Sequence, residues 1–330
     1  MNKWIFAFML YAMTFSGVHA QVQMAHFGDY KLKNGQILEN ARIGYETYGQ
    51  LNQDGSNAIL FPTWYGGTGQ SLKPYIGREA MIDTTSFYVI VVEALGNGIS
   101  SSPSNSRTKE DEGFPEFSIR DMVDLEYKLV TEVLEIDHLY AVTGISMGGM
   151  QTYQWMASYP AFFDKAIPIV GTPKLSIYDG LSYEIFKDIL RNAMENGKKE
   201  ATFLMLEYVL GLTPQYFENH SGTKEDFLNT IAKEALQYDV FNLYSQMCAI
   251  SNHNLQDALE DHKAISLSEV FQGETLIIYS STDHLVAPFA NLSIVDGLKA
   301  QVLDLKSDCG HYAFGCDVDK IAQAVNVFLK

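Results

Sequence analysis

Cysteine and basic charge are scarce in this chain, and long apolar runs are missing from all but its first residues. The three cysteines form no Cys-x-x-Cys pair, and none of the eight histidines falls in a His-x-x-x-His pair, so a metal site has no sequence from which to start. Lysine and arginine number 23 against 40 acidic residues, a formal charge of −17. That balance argues against a nucleic-acid surface, which needs a basic stripe. Past residue 20 no apolar run approaches membrane-spanning length, and the chain carries no internal repeat or low-complexity tract. The Gly/Ser stretch from Gly96 to Asn105 lacks both the lysine and the following helix of a phosphate loop. What remains is a globular chain with enough aliphatic and aromatic residues for a sizeable core and no sign of a cofactor.

The first twenty residues read as a leader. Lys3 gives a short positive start, Trp4 to Val18 is apolar apart from Thr14, Ser16 and Gly17, and Val18-His19-Ala20 fits a small-x-small cleavage site. Export to a periplasm or beyond is therefore expected, with a mature chain from Gln21. No cysteine follows the site to anchor a lipid.

The stretch from Val142 to Gln151 organises the rest. Leu139 to Val142 is a strand pattern that runs into Gly144-Ile145-Ser146-Met147-Gly148. A helical pattern begins at once and reaches Tyr159, where Pro160 stops it. Strand, sharp turn carrying serine, helix is the context a nucleophile elbow requires. Free N–H groups at the helix start also favour a developing oxyanion.

Around the elbow the pattern is mostly strand and helix in alternation. Val22 to Tyr48 reads as antiparallel strands turning at Asn34-Gly35. Ala58 to Pro62 reads as a buried strand, Phe87 to Glu93 as a central parallel one, and Phe163 to Val170, Thr275 to Ser280 and Gln301 to Leu305 as further strands. Ser118 and Asp121 open a helix as cap and capping-box partner, and Met122, Leu125, Leu129 and Val133 then form its apolar stripe. Arg120 and Asp121 are thereby structural. From Thr172 to Leu267 the strands stop. Helices are expected at Leu181–Glu195, Glu200–Leu210, Thr223–Gln237 and Val240–Ser251, and a last one at Asp317–Leu329. The expected fold class is α/β: a mostly parallel sheet flanked by helices, in two parts (21–171 and 268–330), with a helical cap (172–267) inserted as a separately packed layer.

Several stretches resemble the homoserine O-acetyltransferases and their relatives in the α/β-hydrolase superfamily. The resemblance covers Gly144 to Gln151 with Trp155 and Tyr159-Pro160, Ala41 to Gly49, Phe114 to Val123, and the turns around Asp283 and His311. In this fold the acid and the histidine follow the serine in that order, each after a strand. Asp283 lies in Ser281-Thr282-Asp283-His284-Leu285 and His311 in Gly310-His311-Tyr312-Ala313-Phe314, which gives Ser146, His311 and Asp283 as the triad. His284 and Asp304 are the rivals, the first beside the acid, the second inside a strand. His26, His220, His253 and His262 lack catalytic context and read as surface residues. The loop Thr63-Trp64-Tyr65-Gly66-Gly67 follows a strand, where the fold supplies one oxyanion N–H; Tyr65 is assigned, with Trp64 the adjacent alternative, and Met147 gives the other.

A triad of this kind transfers acyl groups from an ester or thioester through an acyl-enzyme. The resemblance implies acetyl-CoA as donor and homoserine as acceptor; water as acceptor makes an esterase. Two features favour water. An exported enzyme meets little acetyl-CoA, and the aspartate the family keeps directly after the histidine, near the homoserine amine, is here Tyr312. Arg191 falls where the family keeps a substrate-carboxylate arginine, although an exposed helical arginine is the plainer reading. With Trp64 and Tyr312 it completes the candidate substrate-binding residues. The expectation is a serine esterase on a small acyl ester, with an O-acyltransferase as alternative and a non-catalytic binding protein as third. Finally, Cys309 and Cys316 bracket His311 and can close a disulfide around it, or remain small buried hydrophobes. Cys248 is the third cysteine.

Overall fold

Continuous apolar runs become the inner strands of one eight-stranded sheet. The computed structural model describes residues 21–106, 113–196, 201–220 and 222–330; the leader read at residues 1–20 lies outside them. The strands are β1 (Gln23–Lys31), β2 (Ile37–Tyr48), β3 (Ala58–Pro62), β4 (Tyr88–Val92), β5 (Leu139–Ile145), β6 (Phe163–Ile169), β7 (Glu274–Tyr279) and β8 (Gln301–Asp304). Their order is β1-β2-β4-β3-β5-β6-β7-β8. The β1/β2 hairpin and the β2/β4 pair are antiparallel, and every other pairing is parallel. Parallel strands need crossovers, and the crossover helices cover both faces. In β3, Ala58 and Leu60 face one apolar layer and Ile59 and Phe61 the other, as the two-residue period of a strand requires.

After the short α1 (Gly69–Leu72), α2 (Ile119–Lys128) and α3 (Met147–Ser158) pack on the Leu60 side. Ser118 and Asp121 cap α2 reciprocally, at 2.9 Å from Ser118 N to Asp121 Oδ2 and 3.1 Å from Asp121 N to Ser118 Oγ. Arg120 pairs with Asp261. Met122, Leu125 and Leu129 are buried as the stripe predicts, but Val133 is 40% exposed. The helix widens into a π turn over Leu129–Val133, which rotates the end of the stripe outward.

Between β6 and β7 lie α4 (Ile177–Asn196), α5 (Ala201–Gly211), α6 (Pro214–Asn219), α7 (Lys224–Glu234), α8 (Val240–Ser251), α9 (Gln256–Asp261) and α10 (Leu267–Val270). The first starts four residues before the predicted Leu181, because Ser176 and Asp179 cap it. α6, α9 and α10 are too short for periodicity to reveal. α11 (Phe289–Leu298) also escapes the sequence reading, since Phe289 and Leu292 point to solvent and blur any stripe. α12 (Ala313–Cys316) and α13 (Val318–Phe328) close the chain on the Phe61 side. Among the described residues no helix is long and apolar enough to cross a membrane.

Candidate active site

At the end of β5 the backbone turns so sharply that Ser146 takes φ 56° and ψ −117°, a conformation a serine holds only when its surroundings impose it. Two bonds impose it: Ser146 N donates to Ile169 O (2.8 Å), and Met150 N donates to Ser146 O (3.0 Å). Gly148 presses on the end of β3, where a Cβ would stand 2.7 Å from Pro62 O. Gln151 Nε2 donates to Thr63 O at 3.1 Å. The elbow and the loop after β3 are thereby held side by side.

Ser146 Oγ lies 2.8 Å from His311 Nε2, and His311 Nδ1 lies 2.7 Å from Asp283 Oδ2. The other Asp283 oxygen accepts from Leu285 N (2.8 Å) and Val286 N (2.9 Å), which fixes the carboxylate plane. With Asp283 as acceptor, Nδ1 carries the ring proton and Nε2 is free to accept from serine. His311 and Asp283 are buried, and Ser146 keeps an open side. The three residues read from the sequence thus form one hydrogen-bonded chain. The rivals stand apart from it. His284 is exposed, and Asp304 Oδ1 accepts from Ser281 N and Lys306 N at the base of the acid loop.

Met147 is the first residue of α3, and Tyr65 lies on the loop the elbow holds. Among the described residues neither backbone N–H has an acceptor in the protein, nor has that of Trp64. The Trp64 indole packs on Phe314 (ring centroids 5.3 Å apart) and edge-on to Tyr75, so its side chain props the loop that carries His311. Tyr312 stacks on Tyr208 and donates from its hydroxyl to Glu207 Oε1 at 3.1 Å. Burial pushes the Glu207 carboxyl up to about 7, and Glu234 adds to the rise while the Tyr312 hydrogen bond and His311 oppose it. Cys309 and Cys316 are joined in a disulfide that closes residues 309–316 around His311, and Cys248 is free.

Two expectations need correction. Arg191 is exposed on α4, paired with Asp188 at 2.5 Å and donating to Tyr244 OH at 3.3 Å, so the structure does not bring it to the triad. The buried stripe of α4 runs through Phe186, Leu190 and Ala193, and residue 191 falls off it. His253 is not a surface residue. It is buried against Thr172 O (3.0 Å), and burial pushes its pKa down to about 4, so it packs as a neutral ring.

Sequence reasoning missed the residues by which the insert grips the site. Gln246 of α8 and Glu207 of α5 are the clearest. The signal was present: each is a polar residue at a core-facing position, Gln246 among Leu243, Met247 and Ile250, Glu207 among Phe203, Leu204 and Gly211.

A strained serine elbow feeding a Ser–His–Asp chain from a mostly parallel sheet defines a class. The chain belongs to the α/β hydrolase fold family, whose model matches residues 59–315. It is similar to an ethyl acetate hydrolase of Pseudomonas veronii, at 38% identity over 51% of this chain and 48% of that protein. A probable esterase of Corynebacterium glutamicum is 38% identical over 49% of this chain and 47% of its own. The matched region is about half the length of each of these two relatives. A homoserine O-acetyltransferase of Pelobacter propionicus is 28% identical over 91% of this chain and 93% of that protein. Among solved structures, the acetyl esterase MekB superposes with a TM-score of 0.84 at 27% identity, covering 94% of this chain and 96% of that one.

Proposed function

We propose that the chain is an exported serine hydrolase of small acyl esters, acting through an acyl-enzyme on Ser146. The observation that carries this is the unbroken chain from Ser146 Oγ through His311 to Asp283 at a strained elbow. Ser146 Oγ attacks the ester carbonyl as His311 Nε2 takes its proton, and the Met147 and Tyr65 N–H groups hold the oxyanion. The C–O bond breaks, and the alcohol leaves with the proton from His311. Water then attacks the acyl-enzyme with His311 again as base, and the acid departs as Ser146 recovers its proton.

Water as acceptor is favoured by what stands beside His311. Tyr312 gives that place an aromatic ring, with its hydroxyl committed to Glu207, rather than a carboxylate directly after the histidine. Likeness to the ethyl acetate hydrolase points the same way. Transfer to a hydroxyl acceptor is the second reading, supported by the nearly full-length match to a homoserine O-acetyltransferase. Export rests on the reading of residues 1–20 and predicts a secreted or periplasmic chain beginning at Gln21 on N-terminal sequencing.

Ser146→Ala is expected to lower turnover of a short-chain ester by about 10⁴- to 10⁶-fold in a folded protein and to abolish fluorophosphonate labelling. Near-normal turnover by that variant would remove the mechanism. Product analysis with acetyl esters and acetyl-CoA, with and without homoserine, separates hydrolysis from transfer: free acetate supports the esterase, O-acetylhomoserine the second reading.

A further inference from the structure

Resting on that reading of the chemistry, we propose that Gln246, on α8 of the insert, is a positioning residue for the oxyanion donor. The insert then contributes to transition-state stabilisation as well as to substrate choice.

Gln246 is fully buried and uses both ends of its amide. Gly66 N donates to its Oε1 at 2.8 Å, and its Nε2 donates to Leu95 O at 2.8 Å. Gly66 immediately follows Tyr65, whose N–H is the proposed donor. Fixing the Gly66 N–H therefore fixes the peptide plane on the carboxyl side of Tyr65. A second bond from the same helix holds the side chain, as Tyr65 OH donates to Leu243 O at 3.0 Å. On the far side, Thr63 N donates to Val92 O at 3.0 Å and Thr63 O accepts from Gln151. Tyr65 is thus clamped from the core before it and from the insert after it. Gly66 sits at φ 66°, and a Cβ there would come within 3.1 Å of the Tyr238 ring and 3.3 Å of Leu243 Cδ2. The loop is shaped to lie under α8. An amide suits this place, because one side accepts from an N–H, the other donates to a C=O, and neither carries a charge into the buried site.

Oxyanion donors act by already being in place when charge develops, and deleting one outright typically costs about 10²- to 10³-fold in turnover. Letting one drift should cost less. Gln246→Met, similar in size but without either hydrogen bond, is expected to lower kcat on p-nitrophenyl acetate by about 10- to 100-fold with little change in KM. Affinity for a trifluoromethyl ketone, which forms a tetrahedral adduct on Ser146, should fall in parallel. Gln246→Glu retains the acceptor for Gly66 N. Its protonated form can also donate to Leu95 O, so activity relative to wild type should recover toward low pH. Tyr65→Phe removes the second clamp alone and should give a smaller loss of the same kind. Far-UV circular dichroism and thermal unfolding identify the variants that fold, and Tyr65→Phe carries the test should Gln246→Met not fold.

If the folded variants keep kcat within twofold of wild type, or lose KM alone, the inference is overturned. Loss of stability with unchanged kcat and unchanged ketone affinity also overturns it, since it assigns Gln246 to packing. None of these outcomes touches the nucleophile, which Ser146→Ala tests separately.

Discussion

The sheet core and the helical insert solve different problems with the same materials. The core builds the serine elbow from backbone geometry. A strained Ser146, pressed between the ends of β3 and β6, owes its position to residues within the core alone. The insert supplies no triad residue, yet it is hydrogen-bonded to each loop that completes the site. At the acid loop, Ala287 N donates to Asp179 Oδ1 (2.9 Å) and Tyr183 OH to Leu285 O (3.1 Å). At the histidine loop, Thr213 Oγ1 and N both donate to Asp308 O, at 2.7 and 3.2 Å. At the loop after β3, α8 holds Tyr65 and Gly66. The elbow is a property of the core, and the alignment of its partners is shared with the insert. The expected picture of a separate layer over a finished core therefore needs revision.

The largest effect expected in sharpening this contrast belongs to the core-borne acid. Asp283→Asn should lower turnover by about 10⁴-fold, because the amide can present an N–H to His311 and turn the imidazole to the wrong tautomer. Asp304→Asn, at a residue whose Oδ1 accepts from Ser281 N and Lys306 N, should leave turnover within a few fold. Steady-state kinetics on one short ester compare the two, and the reverse ranking would assign the acid to Asp304.

Next comes the insert as a whole. A chain in which residues 172–267 are replaced by a short linker is expected to lose at least about 10²-fold on a small activated ester as well as on a bulky one. All three loops lose their ties, and misplaced donors and bases forfeit orientation as well as binding. A folded core that kept its rate on the small ester would restore the picture of a detachable lid. Thr213→Val makes the finer cut. It removes one of the two bonds to Asp308 O together with the cap that Thr213 Oγ1 gives Tyr216 N at the start of α6, so it should lower thermal stability slightly and cost about tenfold or less in kcat, read well below the unfolding temperature.

The same division explains what could be read in advance. Ser146, Asp283 and His311 are legible because each lies in a loop that follows a strand, Ser146 immediately and the other two within a few residues, and because the turns around them resemble a known family. Val240–Ser251 is legible as a helix, with the bounds observed. What that helix holds is not legible, since Gln246 meets Gly66 and Leu95 across more than 150 residues and no local pattern encodes such a pairing. Arg191 is misplaced for a related reason. Its expected place came from likeness in a region where the insert follows its own stripe, and one residue along a helix is a rotation of about 100°.

The smallest effect on turnover, read in stability instead, concerns the carboxyls each region hides. Glu207 of the insert sits by Tyr312 at the site's edge, whereas Glu126 of the core, on α2 against α3, is 1% exposed. Trp155 Nε1 donates to its Oε2 at 2.7 Å, and among the described residues its Oε1 has no partner. Burial pushes its pKa up to about 8, and the tryptophan bond only partly opposes that. The folded protein therefore holds a proton there that the unfolded chain releases near pH 4.5. The sign follows: the contribution to stability is fully present below pH 4.5 and is lost as pH rises through about 8. Gln in its place keeps an acceptor for Trp155 and has no proton to lose. Glu126→Gln should stay within about 1 kcal/mol of wild type at pH 5 and exceed it at pH 9 by on the order of 4 kcal/mol. Urea unfolding at the two pH values measures this. A stability difference that does not change between them would mean that Glu126 is ionised in the fold, held by a partner the core does not otherwise reveal.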